Sequence, residues 1–331
     1  MIDQNGTVYD IHFPGAGAVY GVGTKNEGYA NGNDTFPALT SGRGQMHVNQ
    51  LMAGIREGGT TYWMSNQNGL GYDSVAQAYH PTSNTVSTTA RLHANGNNIV
   101  VQQSDFSPAG IAFPNINGGG PNRGIYIKRF VLTNNAVSPK TINFYGYGDF
   151  AINGGDGSDA MYLDGGASHG AMYAYDNVGG SSNSRGEYNP TFDPDYPKNN
   201  SIFFGTALKR CDAVGSATGS PATDSWRDTS SDSGQGWIGL QLTLTPGVPV
   251  EIDLAVGGGY VVGANNPNVG NDHVRPVFDW FFANSMSTIE TATNIYWTNW
   301  LNSGVTIDFP DDRYDEVYRR GLLSTALHID G

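Results

Sequence analysis

Cysteine is almost absent, with Cys211 alone among 331 residues. A single thiol excludes an intrachain disulfide framework and any zinc site built on cysteines. Charge is scarce too, at 14 % of residues, and positive charge is scarcest: 17 Lys and Arg against 30 Asp and Glu. The formal charge of −13 speaks against nucleic acid or an anionic membrane as partner, because phosphate recognition rests on clustered cations. No apolar run approaches the roughly 18 residues of a membrane span. Met1-Ile2-Asp3-Gln4-Asn5 lacks the basic head and apolar body of a secretory leader. The compartment stays open: a reducing cytoplasm fits, and so does a secreted or periplasmic protein without its leader.

What is abundant is glycine, 46 residues, and aromatic side chains, 11 %. Disordered chains are poor in aromatics, so a folded protein is expected despite a hydrophobic share of only 38 %. Aromatics suit pleated faces and glycines suit turns, which points to a β-rich domain with large loops.

The most legible stretch runs from Trp237 to Val256. Ile238, Leu240, Leu242 and Leu244 alternate with Gly239, Gln241 and Thr243, and the alternation resumes after Thr245-Pro246-Gly247 with Val248, Val250, Ile252, Leu254 and Val256. Period two on both sides of a Pro-Gly turn predicts an antiparallel hairpin with one dry face. A second pair is predicted at Gly124–Asn134 and Lys140–Phe150. The first of these strands is apolar on both faces and so lies between two layers. Further strands are expected at Thr7–Phe13, His47–Ile55, Thr60–Met64, Thr85–Ala94, Asn98–Phe106, Ala171–Asp176 and Ser201–Leu208. That number implies a mainly β fold, a large two-sheet antiparallel sandwich of a dozen or more strands. Asn177–Asn200 and Asp212–Gln235 show no periodicity and are either functional loops or surface decoration.

The pattern changes near Pro276. Ser287-Thr288-Ile289-Glu290 has the form of a capping box. Ile289, Thr293, Tyr296, Trp297 and Trp300 then follow helical spacing up to Asn302-Ser303-Gly304. A second helix is predicted from about Asp312, with Asp315 and Glu316 in its first turn and an apolar stripe of Tyr314, Val317, Tyr318, Leu322, Thr325, Ala326 and Ile329. Nothing after it is long enough to cover that stripe, so it packs on the sandwich or on residues outside this sequence. The expected division is a β domain over 1–275, a helical linker over 276–310 and the first helix of a further domain over 311–331.

The order of strands, aromatic-ended helix, short link and helix resembles glucoamylase-like glycoside hydrolases of family 15. Trp297, Trp300 and Leu301 match that family's linker, which ends Trp-x-x-Trp-Leu. Val317, Arg319 or Arg320, Leu322, Leu323 and Leu327 match its first barrel helix approximately, with Gly321 where a Ser is common. Arg129-Phe130-Val131-Leu132-Thr133-Asn134 and Leu244-Thr245-Pro246-Gly247 resemble its sandwich more loosely; related sandwiches also precede the barrels of disaccharide phosphorylases. The resemblance implies a galactose mutarotase-like super-sandwich joined to an (α/α)6 barrel that acts on α-glucosides. Trp297, Trp300, Tyr314 and Tyr318 would then form the domain interface, and the partners would be that barrel and, through it, an α-glucan or oligosaccharide. The family's two catalytic glutamates sit in barrel loops, and inversion needs two carboxyls roughly 6.5 to 9.5 Å apart. Both lie beyond the matched residues, so the resemblance assigns no catalytic residue here and implies a non-catalytic chain without a cofactor.

Gly154-Gly155-Asp156-Gly157-Ser158-Asp159, with Asp164 nearby, fits one copy of a calcium repeat. Such repeats work in tandem, so Asp156, Asp159 and Asp164 form either a calcium site or an ordinary acidic turn. Gly15-Ala16-Gly17-Ala18-Val19-Tyr20-Gly21 departs from the dinucleotide fingerprint and predicts a bend. The seven histidines form no zinc motif. His169 beside Asp164 could serve as the acid–base pair of an aldose epimerase-like enzyme. Trp226, Trp63 and Tyr62 could stack on sugar rings, as in a stand-alone carbohydrate-binding module, or pack internally.

Overall fold

In a computed structural model, the structure describes residues 48–63, 72–92, 96, 98–112, 123–150, 159–165, 169–176, 200–210, 212–216, 235–262 and 277–326. Thirteen strands are found among them: β1 Val48–Glu57, β2 Thr60–Trp63, β3 Tyr72–Tyr79, β4 Val86–Leu92, β5 Ile99–Phe106, β6 Arg123–Asn134, β7 Lys140–Phe150, β8 Asp159–Gly165, β9 Gly170–Asp176, β10 Asn200–Leu208, β11 Ala213–Ser216, β12 Gln235–Leu244 and β13 Val250–Val262. Helices follow at 277–283 (α1), Met286–Ser303 (α2) and Asp312–Ala326 (α3). The fold is mainly β, as expected, but carries three C-terminal helices instead of two. The seven residues of α1 are too few to show a helical period in sequence.

The strands form a five-stranded sheet, β11-β12-β7-β1-β2, and an eight-stranded sheet, β3-β4-β5-β6-β13-β10-β9-β8. Every pairing between these neighbours is antiparallel. Ile238, Leu240, Leu242 and Leu244 of β12 are buried, as are Phe130 and Leu132 of β6 and Ile252, Leu254 and Val256 of β13. The Phe130 and Phe144 rings meet edge to face at 5.4 Å. Each such side chain contributes about 1.5–3 kcal/mol on burial.

Both predicted strand pairs are corrected. β12 pairs with β7 and β11, whereas β13 pairs with β6 and β10, so Pro246-Gly247 links two sheets and closes no hairpin. β6 and β7 are likewise divided between the sheets. Alternation reports one dry face and does not say whether the next strand lies beside it or across the core. The turn chemistry carries the missing signal. Val248 N–H donates to Thr245 O at 3.1 Å, and Gly247 has φ +71°, the arrangement of a type II turn with Pro at its second position. Hairpins favour the mirror-image turns, whose twist matches that of paired strands.

The two connections stack on each other through Asn134. Its buried side chain donates to Ser138 O (2.9 Å) and Leu244 O (3.1 Å). Its Oδ1 accepts from Ala136 N–H, and its carbonyl accepts from Gly247 N–H, at 2.9 and 2.8 Å.

The reading of β6 as a strand between two layers holds. Its second face, with Ile125 and Ile127, forms a core with Phe106, Ala207, Ala255, Val277, Phe278, Phe281, Met286 and Ile289. Helices α1 and α2 thus cover the outer side of the eight-stranded sheet. Phe278 fits over two glycines: a Cβ built on Gly205 or Gly257 would lie 3.0 or 2.9 Å from its ring. The capping box is overturned. Helix α2 begins at Met286 after Ser285, which makes no side-chain cap hydrogen bond, and Glu290 is held by Arg129 instead. Strands β3, β8 and β11 were not expected from the sequence, and the expected Thr7–Phe13 lies outside the described residues.

Candidate functional site

The residues expected at a domain interface gather on one platform, α2 and α3, and the turn between β3 and β4 holds it to the sandwich. That turn, 80–85, closes with His80 N–H donating to Thr85 O at 2.8 Å. Ser83 and Thr85 hydroxyls both donate to Asn294 Oδ1 of α2, at 2.6 and 2.7 Å, while Thr82 and Thr298 hydroxyls meet at 2.7 Å. From α3, the Arg320 guanidinium donates to Ser83 O at 2.6 Å and lies 4.4 Å from the centre of the Tyr79 ring. Asn84 returns a hydrogen bond to Leu323 O at 3.3 Å. Small hydroxyl residues suit this task because they reach side-chain and main-chain acceptors at little cost in rotamer entropy.

Beneath the latch, Trp297, Leu301 and Leu323 are buried together, with Trp300, Leu322 and Ala109 against them. Trp297 and Trp300 meet edge to face at 6.1 Å. The apolar stripe predicted on α3 divides. Leu323 is fully buried and Tyr318 half-buried, but Tyr314 and Val317 are 62 % and 68 % exposed. Phe309 packs on both Tyr314 and Tyr318. Val305 and Ile307 are also exposed and line a groove of about 320 Å³ with Leu301, Tyr318, Arg319 and Leu322. Leu323, Val305 and Ile307 were not among the expected interface residues; exposure of the last two is set by tertiary packing and left no periodic trace.

The other expected sites fare differently. Tyr62 is half-buried and pairs with Ile55, itself opposite Phe144, on the row facing the second sheet. Trp63 stands opposite Gly54 at the end of β2. Trp226 lies outside the described residues. Asp156 also lies outside them, while Asp159 and Asp164 occupy β8, opposite Asp176 and Ala171. Among the described residues no group of three or more His, Cys, Asp or Glu is placed to hold a metal. His169 stacks on Phe282 with ring centres 4.1 Å apart. Trp237 is buried against Tyr145.

Two charged clusters escaped sequence reading, because their members come from separate strands. Lys128 pairs with Asp105 at 2.9 Å between β6 and β5, and Gln103 donates to the same carboxylate. Their side chains are only 2 % and 0 % exposed, which seals the pair from any substrate. The second cluster lies where α2 meets the outer face of the eight-stranded sheet. Arg129 of β6 bonds Glu290 of α2 at 2.8 Å and Glu251 of β13 at 2.6 Å, and its Nε is 3.8 Å from Asp253. Lys209, after β10, donates to Asn284 O. Burial pushes the Asp253 carboxyl up from the ordinary 3.8 to about 6, against the pull of Arg129 and Lys209 and with help from Glu251 and Glu290. Burial also lowers the Lys209 ammonium.

No protein family and no curated protein matches the chain by sequence. Among solved structures, a protein assigned as a kojibiose phosphorylase from human microbiome superposes with a TM-score of 0.52 at 9 % identity, over 83 % of this chain and 31 % of that one. A polysaccharide lyase matches 81 % of this chain and 34 % of its own at 12 % identity, with a TM-score of 0.33. A family GH92 α-mannosidase from Bacteroides thetaiotaomicron matches 77 % of this chain and 37 % of its own at 9 % identity, with a TM-score of 0.31. The chain spans about a third of the length of each. At such identities the likeness is one of fold, carried by the first superposition alone. This chain shares its two-sheet β fold with a portion of a much larger carbohydrate-active protein.

Proposed function

We propose that this chain is a non-catalytic β-sandwich domain of a larger glycoside-active enzyme, glucoamylase-like in organisation and acting on α-glucosides. Residues 1–275 form the sandwich, 276–310 the linker, and 311–331 the first helix of an (α/α)6 catalytic barrel. The observation that carries this reading is the divided face of α3. Leu323 and Arg320 bind it to the sandwich, while Tyr314 and Val317 stand exposed on the same helix. Large apolar side chains left exposed three positions apart on one helix suit an interaction site, and a helix of the barrel packed here would bury them. The likeness to less than a third of a kojibiose phosphorylase supports a role within a larger protein.

The isolated chain should release no glucose from maltose, isomaltose or starch, and no sugar phosphate when inorganic phosphate is added. Sustained turnover of any of these would overturn the non-catalytic reading.

A further inference from the structure

The Arg129 cluster has an unbalanced charge count. Three carboxylates, Glu251 and Asp253 of β13 and Glu290 of α2, gather round two cations, Arg129 of β6 and Lys209 after β10. Glu251 is 57 % exposed and Glu290 is bonded to Arg129, but Asp253 is only 13 % exposed. Its Oδ1 accepts no hydrogen bond, and the nearest cationic atom, Arg129 Nε, is equally without a hydrogen-bond partner. A proton on Asp253 therefore breaks no hydrogen bond at that oxygen, and it removes the excess negative charge from a poorly solvated place.

We propose that this cluster is a pH-sensitive joint, which seats α2 on the eight-stranded sheet more firmly in mildly acidic than in neutral solution. Arg129 keeps both glutamates in either state, so α2 stays attached and only the strength of the seating changes. The sign follows from linkage. Asp253 titrates near 6 in the closed joint and near the ordinary 3.8 when opening exposes it to water. The closed form binds the proton more tightly, so the added stability is complete below pH 3.8 and is lost as pH rises through 6.

Amide hydrogen exchange along 286–293, corrected for intrinsic rates, reads the joint directly. Between pH 7.5 and pH 5 protection in the 331-residue chain should rise about tenfold. Asp253→Asn, uncharged throughout, should remove that rise, and Glu251→Gln should move it to lower pH, because Glu251 helps to raise Asp253. The Asp253→Asn comparison separates this rise from any effect that arises elsewhere in the chain. Equal protection at the two pH values, or a tenfold rise that survives Asp253→Asn, would overturn the proposal.

Discussion

Asn134 ties the end of β6 in one sheet to the end of β12 in the other. It satisfies acceptors on both stacked connections and serves one donor with its own Oδ1. Alanine would leave Leu244 O without this donor in the interior, and buried unmet groups cost about 1–3 kcal/mol each. Asn134→Ala should therefore cost about 2–4 kcal/mol in chemical denaturation. An unchanged midpoint would contradict this account of the stacked turns. Gly247 at φ +71° has open space for a Cβ, so Gly247→Ala should cost only the ~1 kcal/mol of left-handed strain. Little of this was legible beforehand. Asn134 reads in sequence as simple turn punctuation, because the residues it bonds lie 4 and 110 positions away.

At the scale of elements, the sequence shows strands better than it shows their partners. β12 and β13 stand out by alternation, yet the same alternation serves a hairpin and a crossing between sheets. The Pro-Gly type II turn was the available clue. β3 and β11 were missed because Tyr72–Tyr79 and Ala213–Ser216 lack a run of large apolar residues; their place is set by pairing with β4 and β12. Helix α1 depends on tertiary fit, since the ring of Phe278 lies over Gly205 and Gly257. Phe278→Ala should cost about 3–5 kcal/mol and raise exchange in 277–283 and in β10. Retention of wild-type stability would show that the notch is loosely filled. Helix α3 offers the opposite case. Gly321 is exposed and a Cβ there meets nothing within 4 Å, so Gly321→Ala should stabilise the helix by about 0.5–1 kcal/mol. Arg320→Met should do the reverse locally, speeding exchange in α3 while the sandwich melts as before.

For the whole molecule, fold class and the two large helices were legible, and so was the clustering of Trp297 and Trp300 on α2. Composition and periodicity suffice for layers and faces. The candidate docking surface was half legible: the stripe containing Tyr314 and Val317 was visible, but not that Arg320 and Leu323 would turn it outward. Exposure follows from where the β3–β4 turn grips α3, a contact across some 240 residues of chain. Of the expected sugar and calcium residues, Trp226 and Asp156 lie outside the described residues, while Tyr62, Trp63, Asp159 and Asp164 sit on β2 and β8.

In the proposed function, Tyr314 and Val317 form part of the seat of a catalytic domain. Both are exposed, so replacing them should change the stability of this chain by no more than about 0.5 kcal/mol. The direct measurement is co-elution of the 331-residue chain with the remainder of the proposed parent enzyme, expressed separately, followed by assay on α-glucosides. The wild-type chain should co-elute and support activity, whereas a Tyr314→Asp, Val317→Asp variant with unchanged melting should do neither. A wild-type chain that elutes alone, or a doubly charged variant that still binds and supports activity, would contradict the claim.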